Sequence, residues 1–148
     1  MIFLRNFTRD DISVLQKNGY NKYSYNEICD LVDKWQTDKT FNNLYFKMFA
    51  IVSNNEIVGS ASLYQRSNSI ISCGIEIYHN YRRKGYATTV YSQLFALAKQ
   101  KGYKIAVAQV RVDNIASIAL NKKLEFECEN SEYINKKGNK VYYFIKTI

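Results

Sequence analysis

The sequence predicts a mixed α/β protein, in which helices pack on the faces of one central sheet. Between residues 70 and 110, a strand pattern changes to a helical pattern and back again, which is the signature of a crossover between parallel strands. Before it, three strand patterns follow one another with short turns between them, as in an antiparallel meander. With the flanking segments, the predicted order is β-α-α-β-β-β-α-β-α-β-β.

The N-terminal part predicts one strand and two helices. The segment "IFLRNF" alternates like a strand, and "DDISVLQKNG" follows as a helix that Gly19 can end. The residues "SYNE", from Ser24 to Glu27, form a capping box, because each of the two side chains can bind a free backbone N–H group. Behind it, four large side chains recur at helical spacing: Tyr25, Ile28, Val32 and Trp35.

The middle of the chain predicts the meander and the crossover. Residues 44–52 are rich in aromatic and β-branched side chains, "IVGSASLYQ" returns after the turn "SNNE", and residues 70–78 follow the turn "RSNS". A helix over about residues 87–101 carries a broad apolar stripe and ends at Gly102. Residues 103–110 then have the apolar character of a buried strand, parallel to 70–78.

The C-terminal part predicts a short helix over residues 115–123 and a last hairpin. Its strands are "FECENSEY" and "VYYFIKT", joined around "NKKGNK". Three glutamates, Glu125, Glu127 and Glu129, alternate and are expected on one strand face. They form either a solvated face or an acidic strip that guides a cationic amine.

Length and composition indicate one domain over residues 1–148, with 47% apolar residues. The formal charge of +8 is compatible with nucleic-acid binding, an anionic small-molecule ligand or solubility alone. Several lysines are scattered as on a solvated surface: Lys17, Lys22, Lys34, Lys39 and Lys47. The cluster Arg82–Lys84 differs, because it lies where a helix begins.

No apolar run has the length of a membrane span, and charges interrupt the N-terminal apolar patch, so we expect no signal peptide. The three cysteines, Cys29, Cys73 and Cys128, cannot all pair with one another. We therefore expect reduced thiols in a cytoplasmic protein. The sequence contains no Cys/His cluster, and we expect no metal site.

The turn at residues 82–86 has the chemistry of an anion site. A helix N-terminus carries a partial positive charge and unpaired N–H groups, and Gly85 leaves the backbone accessible. With Arg82, Arg83 and Lys84, the turn suits a phosphorylated ligand. It is neither a Walker P-loop nor a G-x-G-x-x-G turn. The alternative is a basic surface turn that closes the crossover.

This turn resembles the acyl-CoA signature [QR]-x-x-G-x-[GA] of the GNAT superfamily of N-acetyltransferases, with Arg82, Gly85 and Ala87 at the matching positions. The later stretch "DNIASIALNKKLEF" is similar to the second cofactor segment of that superfamily, N-x-x-S-x-x-[LV]-x-x-K-L-G-F. Six residues match it: Asn114, Ser117, Leu120, Lys123, Leu124 and Phe126. Motif similarity covers residues 70–126, and the element order covers the remainder.

The resemblance implies that acetyl-CoA is the co-substrate and that strands 70–78 and 103–110 splay apart around its pantetheine arm. Backbone groups of Ile75, Ile77 and Tyr78 are then expected to bind that arm, and an N–H group near Ile77 to polarise the thioester carbonyl. Asn114, in the second segment with Ser117, is expected to contact the arm or to tie the splayed strand ends. The N–H groups of five residues are expected to hold the pyrophosphate: Arg83, Lys84, Gly85, Tyr86 and Ala87.

Two positions depart from the family pattern. Asn121 replaces a tyrosine proposed to protonate the leaving thiolate, and Glu125 replaces a glycine. A free thiol has a pKa near 8.5, so water can protonate the thiolate, and we predict that Asn121 is catalytically silent. Glu76 is the candidate general base, acting through a water. Its alternative is an ordinary sheet carboxylate.

The function that these observations favour is acetyl transfer from acetyl-CoA directly to a primary amine of a small molecule or a protein. Three tyrosines between the first two helices, Tyr20, Tyr23 and Tyr25, are candidates for the acceptor wall. The alternatives are a basic nucleic-acid-binding domain and a CoA-binding module without turnover. The acceptor itself stays open, as does the choice between a monomer and a homodimer.

Overall fold

The computed structural model describes residues 1–37 and 40–148, in which nine strands form one sheet. The strands are β1 (Ile2–Asn6), β2 (Thr40–Phe41), β3 (Leu44–Ser53), β4 (Glu56–Gln65), β5 (Ile70–Ile77), β6 (Ile105–Arg111), β7 (Glu127–Cys128), β8 (Tyr133–Ile134) and β9 (Lys140–Thr147). The helices are α1 (Ile12–Lys17), α2 (Tyr25–Gln36), α3 (Tyr86–Gln100) and α4 (Ile115–Lys123), with 3₁₀ turns at Arg9–Asp11 and His79–Tyr81.

The sheet confirms the predicted meander and crossover. Its strand order is β1-β3-β4-β5-β6-β9-β7, with β2 on β3 and β8 on β9. β3, β4 and β5 pair antiparallel in sequence order, whereas β5 and β6, on either side of α3, pair parallel. The sheet is therefore mixed, and its parallel pair is at the crossover.

The short-range signals in the sequence form the predicted local structures. Ser24 and Glu27 close the capping box of α2, because the Glu27 N–H donates to Ser24 Oγ at 3.2 Å and the Ser24 N–H donates to Glu27 Oε1 at 2.9 Å. Gly102 ends α3 with a φ of +96°, and the N–H of Tyr103 donates to the carbonyl of Ala98 across that end.

Two apolar layers cover the two faces of the sheet. On one face, α3 packs over Ile71, Cys73 and neighbouring strands, and burial raises the pKa of the Cys73 thiol to about 12, which leaves it unreactive at neutral pH. On the other face, α1 and α2 pack over β3 through residues such as Ile28 and Ala50. Because side chains alternate along β5, its even-numbered residues point away from α3.

The last hairpin differs from the prediction. The first predicted strand is broken into β7 and β8, with Asn130 between them at a φ of +61°. Glu125 lies before β7 at a φ of +65° and Glu129 lies after it, so only Glu127 is in a strand. The reason is the end of α4, where the N–H groups of Glu125 and Phe126 fold back onto helix carbonyls and delay the strand.

One of the lysines predicted to lie on a solvated surface is buried instead. Lys47 is only 9% exposed, because it lies inside β3 opposite Leu63 of β4. Lys39 lies outside the described residues. Across the described ranges, no helix is both long and apolar enough to cross a membrane.

Candidate functional site

The parallel pair β5/β6 opens into a gap. The two strands pair only from Ile70–Ser72 to Ile105–Val107, although β5 continues to Ile77 and β6 to Arg111. Beyond those three pairs no ladder joins the two strands in the described chain, while β6 keeps its pairing with β9 on its other side. The strands therefore splay, as the resemblance to the GNAT superfamily implies.

Backbone groups of β5 point into this gap. The N–H of Tyr78 donates to the carbonyl of Val58 on β4 at 2.8 Å. Hydrogen-bonding groups alternate sides along a strand, so those of Ile75 and Ile77 point the other way, toward the gap. The Tyr78 N–H itself is engaged by β4 and is not available to a ligand.

Arg82 fixes the end of β5. Its Nε atom donates to the carbonyl oxygen of Ile77 at 2.9 Å, so this side chain is partly committed to the protein backbone. Sequence reasoning assigned Arg82 to a bound anion alone. The structure gives it a second task, which is to hold the strand end beside the turn that follows.

The turn before α3 has a shape that exposes its N–H groups. Arg83 and Gly85, on either side of Lys84, have φ angles of +64° and +77°. Left-handed residues within a turn bring successive N–H groups together into a concave anion site. A Cβ added at Gly85 meets no atom within 4 Å, so the space in front of this backbone is open.

The first turn of α3 adds the helix dipole to this cationic turn. Gly85 is the N-cap of a 15-residue helix, and Arg82, Arg83 and Lys84 are all exposed there. Tyr86 and Ala87 are half-buried, and the Ser53 hydroxyl donates to the Tyr86 hydroxyl at 3.3 Å. This contact ties the start of α3 to the end of β3.

The second cofactor segment forms the start of α4. Asn114 is its N-cap, and its Oδ1 accepts from the Ser117 N–H at 3.1 Å. Asn121 is the one buried residue of α4, at 1% exposure, and its Nδ2 donates to the Ser117 carbonyl at 2.8 Å. Its Oδ1 has no hydrogen-bond partner among the described residues.

The side of β5 that faces away from α3 carries the candidate base. Glu76 is exposed there, close to two phenols. Burial and then the charge of Glu76 raise the pKa of Tyr78, which is 5% exposed, and the same two causes raise the pKa of Tyr20. Both phenols are therefore protonated at neutral pH, beside a carboxylate.

The predicted tyrosine wall is only partly assembled. The Tyr20 ring lies 5.9 Å from the ring of Tyr23 and 5.9 Å from that of Trp35, measured between centroids. Tyr25 instead is 57% exposed on the first turn of α2. The hydrophobic core, through Trp35, thus positions Tyr20 near Glu76.

A cavity of about 600 Å³ lies beside Tyr78 and contains the salt bridge between Arg5 and Asp11. Burial of Asp11 would raise the pKa of its carboxyl, but hydrogen bonds from Arg5 and Thr8 outweigh it and hold the pKa below its usual value. Arg5 contacts Asp11 through both Nη atoms, at 2.7 and 3.0 Å. Asp11 is thus fully engaged and is not a candidate base.

Sequence reasoning missed Gly59. It lies in β4 opposite Ile77, next to a register shift between β3 and β4. A Cβ at Gly59 would overlap the carbonyl oxygen of Glu76, so only glycine allows β4 to approach β5 here. The available signal was an isolated glycine within a strand pattern, which often marks close backbone approach.

A known protein family matches the part of the chain that contains these elements. The model of the acetyltransferase (GNAT) family matches residues 9–126, from the turn before α1 to the end of the second cofactor segment. The chain belongs to the GNAT acetyltransferase family. It is therefore an acyltransferase, of a family that uses acetyl-CoA as co-substrate. No curated protein sequence matches the chain.

Solved structures share the GNAT fold at low sequence identity. Spermidine N-acetyltransferase from Vibrio cholerae has a TM-score of 0.79 at 16% identity, covering 99% of this chain and 93% of that one. An acetyl transferase from Salmonella typhimurium, which modifies the N-terminal serine of a 50S ribosomal subunit protein, has a TM-score of 0.78 at 21% identity, with 99% and 95% covered. Ard1 from Thermoplasma volcanium has a TM-score of 0.74 at 16% identity, with 99% and 97% covered.

The residues present fit acetyl-CoA. An open backbone at Gly85, three exposed cations and a helix N-terminus suit its pyrophosphate, and the β5/β6 gap offers backbone groups to an extended amide chain. In the described ranges, no group of three or more His, Cys, Asp or Glu side chains is placed to hold a metal ion.

Proposed function

We propose that residues 1–148 act as one acetyltransferase domain, which transfers the acetyl group of acetyl-CoA directly to a primary amine. The observation that carries this proposal is the β5/β6 gap, which ends at the cationic N-terminus of α3. Bound acetyl-CoA supplies an activated thioester. Side chains and backbone groups of this chain, together with water, supply the remaining parts of the reaction.

Binding of the co-substrate rests on backbone geometry. The N–H groups of residues 83–87 hold the pyrophosphate, helped by the charges of Arg82, Arg83 and Lys84. Backbone groups of Ile75 and Ile77 bind the pantetheine amides as an added strand would. Asn114 and Ser117 act indirectly, because their hydrogen bond begins α4 beside the splayed strands.

The N–H of Ile77 stabilises the oxyanion that develops on the thioester carbonyl. A fixed donor in a partly desolvated gap stabilises the transition state more than the ground state. Arg82 keeps this donor in place, because it binds the carbonyl oxygen of the same residue.

Glu76 removes the proton that an ammonium must lose before it can attack. Its carboxylate accepts this proton through a water, on the face of β5 opposite α3. The protonated hydroxyls of Tyr20 and Tyr78 are positioned to orient that water and the amine. A carboxylate with two phenols also attracts a cationic acceptor before the reaction.

The leaving thiolate takes its proton from water. Asn121 has no acidic proton, and its Nδ2 is engaged by the Ser117 carbonyl. A free thiol with a pKa near 8.5 is a tolerable leaving group without an acid.

Two structural relatives, which act on a polyamine and on a protein N-terminus, support a primary amine as the acceptor here. Both acceptors present a primary amine. Three free cysteines, two of them buried, support a cytoplasmic location. The membrane and nucleic acid have no part in this proposal, and the oligomeric state is left between a monomer and a homodimer.

A thiol-release assay with acetyl-CoA over a chemically diverse amine library tests the proposal. We expect acceptor-dependent CoA release that falls strongly in Glu76→Gln, while Glu129→Gln, which neutralises an exposed glutamate beyond β7, stays at the wild-type rate. Tight binding of acetyl-CoA without CoA release for any amine would instead establish the binding module. A protein that binds no acetyl-CoA, but is retained on DNA in a salt-sensitive manner, would establish the nucleic-acid-binding alternative.

A further inference from the structure

A second cavity lies on the sheet face away from α3, where neither α1 nor α2 covers the sheet. It has a volume of about 270 Å³ and lies over β5, β6 and β9. Its apolar floor is Ile70, Val107 and Ile145, and the ring of Tyr143 forms one wall. Ile145 is 49% exposed and Tyr143 39% exposed, so apolar surface here is open to a ligand. We call this cavity the β5/β9 groove.

The groove continues toward Glu76. Ser72 lines it, and Ser72, Gly74 and Glu76 share one face of β5 because side chains alternate along a strand. Four residues of strand place Glu76 about 13 Å from Ser72. Gly74 lies between them without a side chain, and an added Cβ there would come within 2.8 Å of Ser62 Oγ. Between Ser72 and Glu76, this face of β5 therefore carries no side chain of its own, and the Ser62 hydroxyl of β4 lies against it.

The groove holds a cation in a fixed position beside Ser72. The Nε of Arg66 donates to Ser72 Oγ at 2.7 Å, and its guanidinium lies 5.2 Å from the ring centroid of Tyr64. Within the described ranges, Arg66 has no carboxylate partner. Its Nη groups remain as donors, in the geometry that matches a carboxylate.

We propose that the β5/β9 groove binds the acceptor, and that this acceptor is a peptide N-terminus with an acidic side chain at its fourth residue. Its α-amino group lies at Glu76, its extended backbone crosses Gly74, and its carboxylate pairs with Arg66. An extended peptide advances about 3.3 Å per residue, so the fourth residue lies about 10 Å from the α-amino group and its side chain covers the remaining distance to Arg66. The proposal rests on the acetyltransferase function proposed above.

A polyamine fits this groove poorly. Its second ammonium would meet the Arg66 guanidinium and an apolar floor, instead of the second carboxylate that a polycation requires. The charge order along β5, negative at Glu76 and positive at Arg66, is complementary to a chain that begins with an ammonium and continues to a carboxylate.

The test compares hexapeptides that differ only at the fourth residue, Glu against Lys, with spermidine and a small monoamine as further acceptors. For the wild type we expect kcat/KM to be higher for the Glu peptide by at least about threefold, the size expected of one exposed charge pair. Arg66→Gln should abolish this preference, Arg66→Lys should keep part of it, and Arg66→Glu should reverse it. Lys99→Gln, a neutralised lysine on α3 at the opposite face, is the matched control and should change nothing.

The small monoamine separates failure of the inference from failure of the function. It does not reach Arg66, so Arg66→Gln should acetylate it at the wild-type rate. Equal use of both peptides in all variants, with monoamine acetylation intact, would overturn the inference alone. Preference for spermidine over both peptides would also overturn it. A dimer that dissociates on Ile145→Asp would overturn it as well, because the groove would then be covered by a second copy.

Discussion

The two sides of strand β5 offer different chemical groups to a ligand. On the side of the gap, the proposed acetyl-CoA site consists of backbone N–H groups at Ile77 and Gly85, which left-handed turn residues and a splayed strand pair hold in place. On the face away from α3, the proposed acceptor site consists of side chains, with Glu76 close to Tyr20 and Tyr78 and with Arg66 farther along. Backbone groups recognise what every amide and phosphate shares, whereas side chains distinguish one acceptor from another.

This contrast predicts that substitutions on the two sides of β5 affect different substrates. Changes on the gap side should weaken acetyl-CoA and leave acceptor preference unaltered. Changes on the acceptor face should alter catalysis or acceptor choice and leave acetyl-CoA affinity unaltered. A variant that affects both substrates equally would remove the distinction.

The largest effect is expected at the candidate base. Glu76→Gln should lower kcat at neutral pH by roughly 10²–10⁴, the usual range for loss of a general base. The deficit should shrink as the pH approaches the pKa of the amine, because solution then supplies neutral amine. Acetyl-CoA affinity, measured by calorimetry, should stay at its wild-type value. A deficit that is constant with pH would mean that Glu76 orients the amine and does not deprotonate it.

The next largest effect is expected on CoA affinity, from a substitution on the gap side at Gly85. Gly138 provides a matched control. Gly85 and Gly138 have φ angles of +77° and +82°, and an added Cβ at either meets no atom within 4 Å. Gly85→Ala and Gly138→Ala should therefore lose similar stability, about 1–2 kcal/mol for a left-handed alanine. Only Gly85→Ala should lose CoA affinity, by about tenfold or more, because its Cβ points into the phosphate space. Wild-type affinity in Gly85→Ala would show that the phosphates bind elsewhere.

A smaller effect is expected from Arg82→Ala. The backbone donors of the turn remain, so CoA affinity should fall only a few-fold, in proportion to one exposed charge. Lys99→Ala removes the same charge from the other end of α3 and should leave affinity unchanged. Equal losses of CoA affinity in Arg82→Ala and Lys99→Ala would indicate a general effect of the protein's net charge. They would not support a site at the turn.

Asn121→Ala should change kcat by less than about threefold, because no proton passes through this amide. The measurement is CoA release under saturating substrates. A loss comparable to that of Glu76→Gln would give Asn121 a role in catalysis and contradict the water-protonation step. The unpartnered Oδ1 makes this position a strict test, since its carbonyl is available to a ligand.

The smallest effect concerns stability alone. α3 and α4 end in the same hydrogen-bond pattern, with Gly102 in the left-handed position of one and Glu125 in that of the other. Glu125→Gly should therefore raise the free energy of unfolding by at most about 1 kcal/mol. Kinetic constants should stay unchanged. A loss of stability on urea denaturation would mean that Glu125 makes a favourable contact that outweighs its backbone strain.

The sequence predicts the gap side better than the acceptor face, for a physical reason. Left-handed turns and helix starts require particular residues at fixed local spacing, so Gly85 and Asn114 are visible in the sequence. The groove depends on pairing between distant strands, which brings Ile70, Val107 and Ile145 together without any local pattern. Long-range register likewise hid the close approach of Gly59 to Glu76.

Other misses come from competition between local structures. The sequence indicates one strand over 126–133, but the closing turn of α4 uses the N–H groups of Glu125 and Phe126 first. Arg82 was expected to bind the cofactor, and the structure adds a hydrogen bond to the Ile77 carbonyl that the sequence did not indicate. Neither outcome is visible in a pattern of residue types, because each depends on which partner a polar group meets in three dimensions.

Thermal unfolding with acetyl-CoA and with ATP tests the central claim most directly, namely that the gap and the turn before α3 recognise acetyl-CoA. At a hundredfold excess of ligand over Kd, acetyl-CoA should stabilise the wild type by about 2.7 kcal/mol, and ATP at the same concentration by much less. The gain should largely disappear in Gly85→Ala and persist in Gly138→Ala. Equal stabilisation by ATP and acetyl-CoA would show a generic anion site and contradict the account.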